Sequence, residues 1–109
     1  APVEKTRFSA AGEAEFMRRL KASGKKRVLV CGVEAHVCVL QTVLDLLAEG
    51  FDVFFVSDLI SSRRRDDAEA AFRRMHAAGA VETTYESALF ELLEGAGESG
   101  FRQISGLVK

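Results

Sequence analysis

The chain has 109 residues, of which 48% are hydrophobic and 28% charged, the composition of one modest soluble domain. Its formal net charge of −1 argues against a general binder of nucleic acid or other polyanions. No apolar run is long enough to span a membrane. The two cysteines, Cys31 and Cys38, fit neither a zinc spacing nor a CxxC motif. We therefore expect a cytoplasmic protein with reduced cysteines.

The first half of the chain predicts a helix, a buried strand and a second helix. Ser9 can cap a helix over residues 10–23. Residues 27–31 read Arg-Val-Leu-Val-Cys, and this run without alternation predicts a central parallel strand that is covered on both faces. Cys31 is therefore expected in the core. The next apolar pattern predicts a helix over residues 39–49.

The second half continues to alternate strands with helices, which predicts an α/β fold with right-handed crossovers. The expected architecture is a doubly wound, Rossmann-like parallel sheet in three layers. A buried strand is predicted over residues 51–56, a loop over 58–62, a helix over 65–78 and a short strand over 80–82. A capping box at Thr83 then opens a further helix, which is followed by a flexible loop over 95–100 and a helix or turn over 101–108.

The predicted order of elements differs from that of a complete doubly wound domain. Only three strands are predicted, and the first element is a helix, whereas such a domain normally begins with a strand. We therefore expect residues 1–109 to form the C-terminal portion of a single domain, truncated at the N-terminus in this sequence.

Cys38 follows the first predicted strand and stands at the beginning of the second helix. A thiol at a helix N-terminus meets the positive end of the helix dipole and unpaired N–H groups, and both favour the nucleophilic thiolate. Ligands of open α/β sheets bind at the carboxyl ends of the strands, where this turn lies. Position and residue type indicate covalent catalysis by Cys38, and the alternative is a buried structural thiol.

Three segments of the chain resemble the isochorismatase-like cysteine hydrolases, in order and at matching spacing. They are residues 5–9 (Lys-Thr-Arg-Phe-Ser), residues 32–42 (Gly-Val-Glu-Ala-His-Val-Cys-Val-Leu-Gln-Thr), and Asp58 with residues 61–63 (Ser-Ser-Arg). The Glu-Ala-His-Val-Cys run is most similar to the isochorismatase-domain-containing branch. The resemblance covers essentially the whole chain and implies a parallel sheet with an Asp, Lys, Cys catalytic triad.

The resemblance also implies roles for individual residues. Cys38 matches the nucleophile and Lys5 the triad lysine, whereas the triad aspartate would precede residue 1, and Asp58 matches a different acidic position. An oxyanion hole is implied at the backbone N–H groups of Glu34 and Cys38, with a cis peptide bond just before Glu34. No metal and no cofactor is predicted, because the metal ligands of related nicotinamidases would lie in the missing portion.

For other polar and aromatic residues near the motifs, both a functional and a structural interpretation are possible. Phe8 and His36 are candidate pocket residues, but Phe8 could instead pack in the core, and His36 could simply form a hydrogen bond in its turn. Without the motif, Lys5 would be taken for a solvated surface lysine. Asp58 and Arg63 are expected to tie down the loop after the second strand rather than to contact substrate.

The sequence thus predicts a hydrolase that uses Cys38 on a small-molecule amide or related C–N bond through a thioester. One alternative is a catalytically degenerate member that serves as a binding or assembly module, which a gene without the aspartate would favour. Another is a vinyl-ether hydrolase acting on isochorismate, against which the presence of Cys38 argues. The expected partners are a small-molecule substrate and further copies in a homo-oligomer, a dimer or larger, with no nucleic acid and no membrane.

Overall fold

A computed structural model of the chain describes residues 2–93. Within these residues, three parallel strands form one sheet in the order β1-β2-β3, with β1 at Arg27–Val33, β2 at Asp52–Ser61 and β3 at Val81–Thr83. The strands alternate with helices α1 (Ala14–Ala22), α2 (Leu40–Ala48), α3 (Arg65–Ala77) and α4 (Tyr85–Leu93). The predicted doubly wound α/β fold is confirmed.

The main core lies on one face of this sheet. Val53 and Phe55 of β2 are buried there among side chains of α2 and α3, and Val28 and Val30 of β1 pack against the same cluster. The ring of Phe55 stacks on that of Phe72 in α3, with 5.7 Å between the ring centroids. The opposite face receives α4, so the sheet lies between helices, as three layers require.

Strand β1 departs from the prediction that it is covered on both faces. It is an edge strand, and exposure alternates along it, so that Leu29 and Val33 are 51% and 68% exposed. Cys31 lies on the same side of the strand and is exposed, which makes its predicted core position wrong within residues 2–93. The physical reason is that helices of the described part of the chain cover only one side of β1. We call the exposed side formed by Leu29, Cys31 and Val33 the open face.

Strand β2 continues to Ser61, so the loop predicted over residues 58–62 is wrong for most of its length. The register between β1 and β2 shifts between Val30 and Gly32, and pairing then resumes as Gly32 with Ile60 and Val33 with Ser61. Gly32 has a φ of 131°, a conformation that side chains disfavour, and it allows the shift. As a result, the end of β2 runs beside the turn that follows β1.

The helix boundaries also shift slightly from those predicted. The first predicted helix is a 3₁₀ turn at Ala10–Gly12 followed by α1, and Ser9 caps the turn as expected, with its Oγ accepting the Ala11 N–H at 3.1 Å. Helix α3 matches its prediction within one residue. Helix α4 begins one residue later than a capping box at Thr83 requires, since Thr84 Oγ1 accepts the Ser87 N–H at 3.3 Å.

The elements predicted over residues 95–100 and 101–108 lie outside the described residues. In the part of the chain that is described, no helix combines the length and the apolar character needed to cross a membrane.

Candidate active site

Cys38 lies in a π turn, Ala35–Val39, that joins β1 to α2 at the carboxyl end of the sheet. The wide turn is closed by the Val39 N–H, which donates to the carbonyl of Glu34 at 3.2 Å. The sequence placed Cys38 at the start of a regular helix, whereas the structure places it, half-buried, in the first and wider turn of the helical segment that continues as α2. Single π turns of this kind occur frequently at functional sites.

The ammonium group of Lys5 contacts the thiol of Cys38. Lys5 Nζ lies 3.7 Å from Cys38 Sγ, and it donates to the carbonyls of Arg7 and Phe8 at 2.8 Å and 3.0 Å. These three acceptors match the three donors of an ammonium group. An ammonium group held in this way presents a hydrogen-bond donor to the sulfur. The structure therefore brings together the two side chains that the sequence predicted as nucleophile and triad lysine.

Ser62 follows β2 and holds the beginning of the π turn. Its Oγ accepts the Ala35 N–H at 3.0 Å and lies 2.9 Å from His36 Nδ1. Glu34, the residue at the N-cap position, makes no side-chain cap hydrogen bond, so Ser62, just after β2, supplies the acceptor that a helix start needs. No role was predicted for Ser62 from the sequence, and its place in the Ser-Ser-Arg segment was the only signal that could have found it.

His36 is held in a cluster of charged side chains. Its Nδ1 lies 3.6 Å from Glu34 Oε2 and its Nε2 lies 3.7 Å from Asp67 Oδ2, while Arg63 Nε lies 3.3 Å from Glu34 Oε1. The Arg63 side chain is 86% exposed, so its ion pair contributes little to stability. Within residues 2–93, the polar contacts of His36 go to the Ser62 hydroxyl and to the carboxylates of Glu34 and Asp67. They fit the structural alternative for His36, and its place in the pocket stays a prediction.

The structure also locates Phe8, Asp58 and the peptide bond before Glu34. Phe8 contributes its carbonyl to Lys5, and its side chain is 60% exposed, so within residues 2–93 Phe8 is not a core residue. Asp58 was expected to tie down a loop after the second strand, but it lies within β2, and its Oδ1 accepts the Tyr85 N–H at 2.9 Å, which ties the strand to the start of α4. Residues 2–93 contain no cis peptide bond, so the one implied before Glu34 is absent. The oxyanion hole stays a prediction.

No set of three or more His, Cys, Asp or Glu side chains in residues 2–93 is arranged to hold a metal ion. Within residues 2–93, the site consists of a thiol, an ammonium group and the hydrogen bonds that hold them.

Replacing Ser62 with alanine is expected to lower the free energy of unfolding by about 1–2 kcal/mol. The change removes the acceptor of the Ala35 N–H and the partner of His36 Nδ1 at once. Urea unfolding followed by circular dichroism measures the loss. Ser61→Ala, a change of the exposed neighbouring serine at the end of β2, is the control and should change stability by less than about 0.5 kcal/mol. Equal effects of the two changes would contradict the capping role.

Comparison with known proteins places the chain in a family. Residues 1–87 match the family model described as the isochorismatase domain. The chain is 49% identical over 85 residues to the secreted isochorismatase effector Isc1 of Phytophthora sojae, a match that covers 78% of the chain and 40% of that protein. It is 41% identical over 108 residues to isochorismatase family protein 1B of Dictyostelium discoideum, covering 97% of the chain and 52% of that protein. The chain thus spans about half the length, or less, of these relatives.

Solved structures show the same fold. The MAR1 ribonuclease of Caenorhabditis elegans is 39% identical with a TM-score of 0.88, over 95% of this chain and 53% of that one. YcaC of Pseudomonas aeruginosa, solved with hexane-2,5-diol and covalent acrylamide, is 35% identical with a TM-score of 0.89, over 95% and 52%. The YcaC gene product of Escherichia coli, described as an octameric hydrolase of unknown specificity, is 32% identical with a TM-score of 0.83, over 95% and 49%.

The family model covers most of the chain, from residue 1 to residue 87, and the structural matches extend over nearly all of it. The segments with Lys5 and Cys38 both lie inside the matched range. The chain belongs to the isochorismatase domain family.

Proposed function

We propose that this protein is a cysteine hydrolase that cleaves the C–N bond of a small-molecule amide through a thioester at Cys38. The observation that carries the proposal is the contact of 3.7 Å between Lys5 Nζ and Cys38 Sγ at the carboxyl end of a parallel sheet. A thiol beside a fixed ammonium group has the surroundings of a nucleophilic cysteine. Family membership supports the proposal, as does the similarity to YcaC solved with covalent acrylamide, since acrylamide is both an amide and an electrophile.

The first step transfers the thiol proton of Cys38 to a carboxylate. The contacts of Lys5 within residues 2–93 are two backbone carbonyls and the thiol sulfur, and none of them is a carboxylate. The curated relatives are about twice as long as the region matched here, so we place the carboxylate in the part of the domain outside residues 1–109. The Lys5 ammonium group then stabilises the thiolate that remains.

The second step forms a bond from Cys38 Sγ to the carbonyl carbon of the amide. The backbone N–H groups of Glu34 and Cys38 donate to the oxyanion, and such preorganised donors typically contribute a few kcal/mol each to the barrier. As the oxyanion collapses, the C–N bond breaks, and the amine leaves with the proton that the carboxylate took. Water then hydrolyses the thioester, which releases a carboxylic acid and restores the thiol.

Other functions are less well supported. A degenerate binding module has no need of an ammonium group held on a thiol, yet Lys5 and Cys38 keep that contact. A vinyl-ether hydrolase has no need of the thiol. The ribonuclease activity named for the Caenorhabditis elegans protein is less well supported for this chain, because a net charge of −1 provides no general attraction for a polyanion.

We also propose that the protein forms a homo-oligomer, a dimer or larger. The support is the description of the Escherichia coli YcaC product as octameric. The cytoplasmic location stays a prediction, and the Phytophthora sojae relative is described as secreted.

Trapping the acyl-enzyme tests the proposed function. The full protein is mixed with a panel of small primary and secondary amides, quenched in acid, and analysed by mass spectrometry, with ammonia or amine release measured in parallel. We expect a mass increase equal to the acyl group on the peptide that contains Cys38, and its loss on treatment with hydroxylamine. Amide turnover without any adduct at Cys38 would overturn the thioester route. Conversion of isochorismate without an adduct would favour the vinyl-ether alternative, and a folded protein that turns over neither class would favour the binding module.

A further inference from the structure

The position of the Lys5 ammonium group depends on the shape of the segment that carries it. We call residues 5–9 the Lys5 strap. Two of the three acceptors of Lys5 Nζ are carbonyls of the strap itself, at Arg7 and Phe8, and the third is Cys38 Sγ. The strap has no regular secondary structure before the 3₁₀ turn begins at Ala10. Something outside the strap must therefore hold its backbone in the curved form that presents Lys5 to the thiol.

Glu13 makes the contacts that hold this curve. Its Oε1 accepts the N–H groups of Thr6 and Arg7, both at 3.0 Å. Glu13 occupies the N-cap position of α1, but its side chain makes no cap hydrogen bond to its own helix. Glutamate is not among the residues preferred at N-caps. Its carboxylate is directed instead to two successive backbone donors of the strap, immediately after Lys5.

Two further contacts fix the strap between Glu13 and the nucleophile. The side chain of Arg7 passes close over Gly12, where a Cβ atom would lie 2.6 Å from Arg7 Cδ and 3.3 Å from Arg7 Cβ. Just after the strap, the Ala10 N–H donates to Thr42 Oγ1 at 2.9 Å. Thr42 is buried in α2, four residues after Cys38. The strap is thus joined to the helix that follows the nucleophile.

The electrostatics agree with this geometry. The N–H groups of Arg7 and Thr6, in that order, hold the pKa of the Glu13 carboxyl below its ordinary value. Because the pKa is lowered in the folded state, the ionised Glu13 carboxylate contributes to stability at a pH above the ordinary carboxyl pKa. This contribution is lost as the pH falls through the lowered pKa. At neutral pH the carboxylate is therefore ionised and accepts both hydrogen bonds.

We propose that Glu13 is a positioning residue for Lys5: it curves the strap so that the ammonium group rests on the thiol of Cys38. The inference rests on the proposed function, because it gives Lys5 its task. Glu13 itself makes no hydrogen bond to Cys38 or Lys5, and it acts through the backbone of Thr6 and Arg7.

A double-mutant cycle on thiol reactivity tests the proposal without any substrate. The full protein carries Cys31→Ser, so that the exposed second thiol does not react. The rate of alkylation of Cys38 by iodoacetamide at pH 7 is measured for this parent, for Lys5→Met, for Glu13→Ala and for the double variant. We expect each single change to slow alkylation about tenfold, and the double variant to be no slower than Lys5→Met alone. Circular dichroism confirms that each variant is folded.

Two further variants separate positioning from a general structural effect. Glu13→Gln keeps an oxygen that can accept both N–H groups and should restore the rate to within about threefold of the parent. Glu15→Ala removes a carboxylate of the same helix, one that pairs with Arg18 and Arg19, and should leave the rate unchanged. If Glu13→Ala does not fold, Glu13→Asp, which keeps the charge but is one methylene shorter, replaces it in the same cycle.

The possible results point to different failures. The proposal would be overturned if the double variant were slowed by the product of the two single-variant factors. It would also be overturned if the alkylation rate were unchanged in Glu13→Ala, or if Glu13→Gln slowed alkylation as much as Glu13→Ala. An unchanged rate in Lys5→Met would overturn both the proposal and the Lys5–Cys38 contact on which the proposed function stands. A wrong choice of amide as substrate would leave this cycle unaffected, because the cycle measures only the thiol.

Discussion

Replacing Cys38 with alanine in the full protein is expected to abolish amide turnover while the protein stays folded. The change removes the atom that forms the covalent intermediate, and enzymes that lose their nucleophile typically lose at least about 10³-fold in kcat. The Cys38 side chain is half-buried, and its described side-chain contact is with the exposed Lys5, so the free energy of unfolding should change by no more than about 1–2 kcal/mol. Steady-state release of the amine and thermal unfolding measure the two quantities.

The matched control for this change is Cys31→Ala. Cys31 is the other cysteine of the chain, and it lies on the open face of β1, away from the turn that carries Cys38. We expect Cys31→Ala to keep the parent rate within about threefold, as changes away from the reacting atoms usually do. Near-normal amide hydrolysis by Cys38→Ala would refute the covalent mechanism. A loss of folding in Cys38→Ala would move the question to Cys38→Ser, which keeps a similar volume with a much weaker nucleophile.

The sequence predicted the parts of the site that short motifs encode. Cys38 was found from its place after a buried strand and before a helix, and Lys5 from the Lys-Thr-x-Phe-Ser segment, and the structure brings the two within 3.7 Å. The π turn was not predicted, because its one extra residue per turn leaves no mark in a helical pattern of apolar residues. The parallel sheet was predicted because alternation of strands and helices is visible in hydrophobic periodicity.

The contacts that hold the site could not be predicted from the sequence. Ser62 meets Ala35 only because a register shift at Gly32 lets β2 run on beside the turn, and nothing local to Ser62 signals that event. Glu13 has the appearance of an ordinary charged residue at the start of a helix, and its two hydrogen bonds depend on how the preceding segment folds back. Long-range hydrogen bonds between polar side chains and distant backbone have no periodicity, so they appear only in the structure.

The error at β1 has a different cause. An apolar run without alternation reports how completely a strand is buried in the whole assembled domain. Within residues 2–93 the strand has a neighbour on one side and helices on one face, so Leu29 and Cys31 are exposed although their sequence is that of a buried strand.

A protein made of residues 1–109 alone is expected to self-associate strongly and to be largely insoluble. On the open face, Leu29 and Val33 are 51% and 68% exposed, and Leu92 of α4, beside Leu29 in the same cleft, is 73% exposed. Within the described residues β1 pairs with β2 alone, so its outer edge also presents a row of unpaired backbone groups. An exposed apolar face next to a free strand edge is a template for association between copies.

Charged substitutions on the open face test the cause of that association. Leu29→Lys together with Leu92→Lys should raise the soluble fraction severalfold and shift the protein toward a monomer in size-exclusion chromatography with light scattering, because the charges oppose apolar contact between copies. Gln41→Lys together with Ala77→Lys adds the same two charges at exposed sites on α2 and α3 and should change little, which separates the role of the face from that of net charge. A soluble monomer that unfolds cooperatively without any substitution would contradict the prediction and would favour the binding-module alternative, since such a protein would be stable without the carboxylate that the thioester mechanism requires.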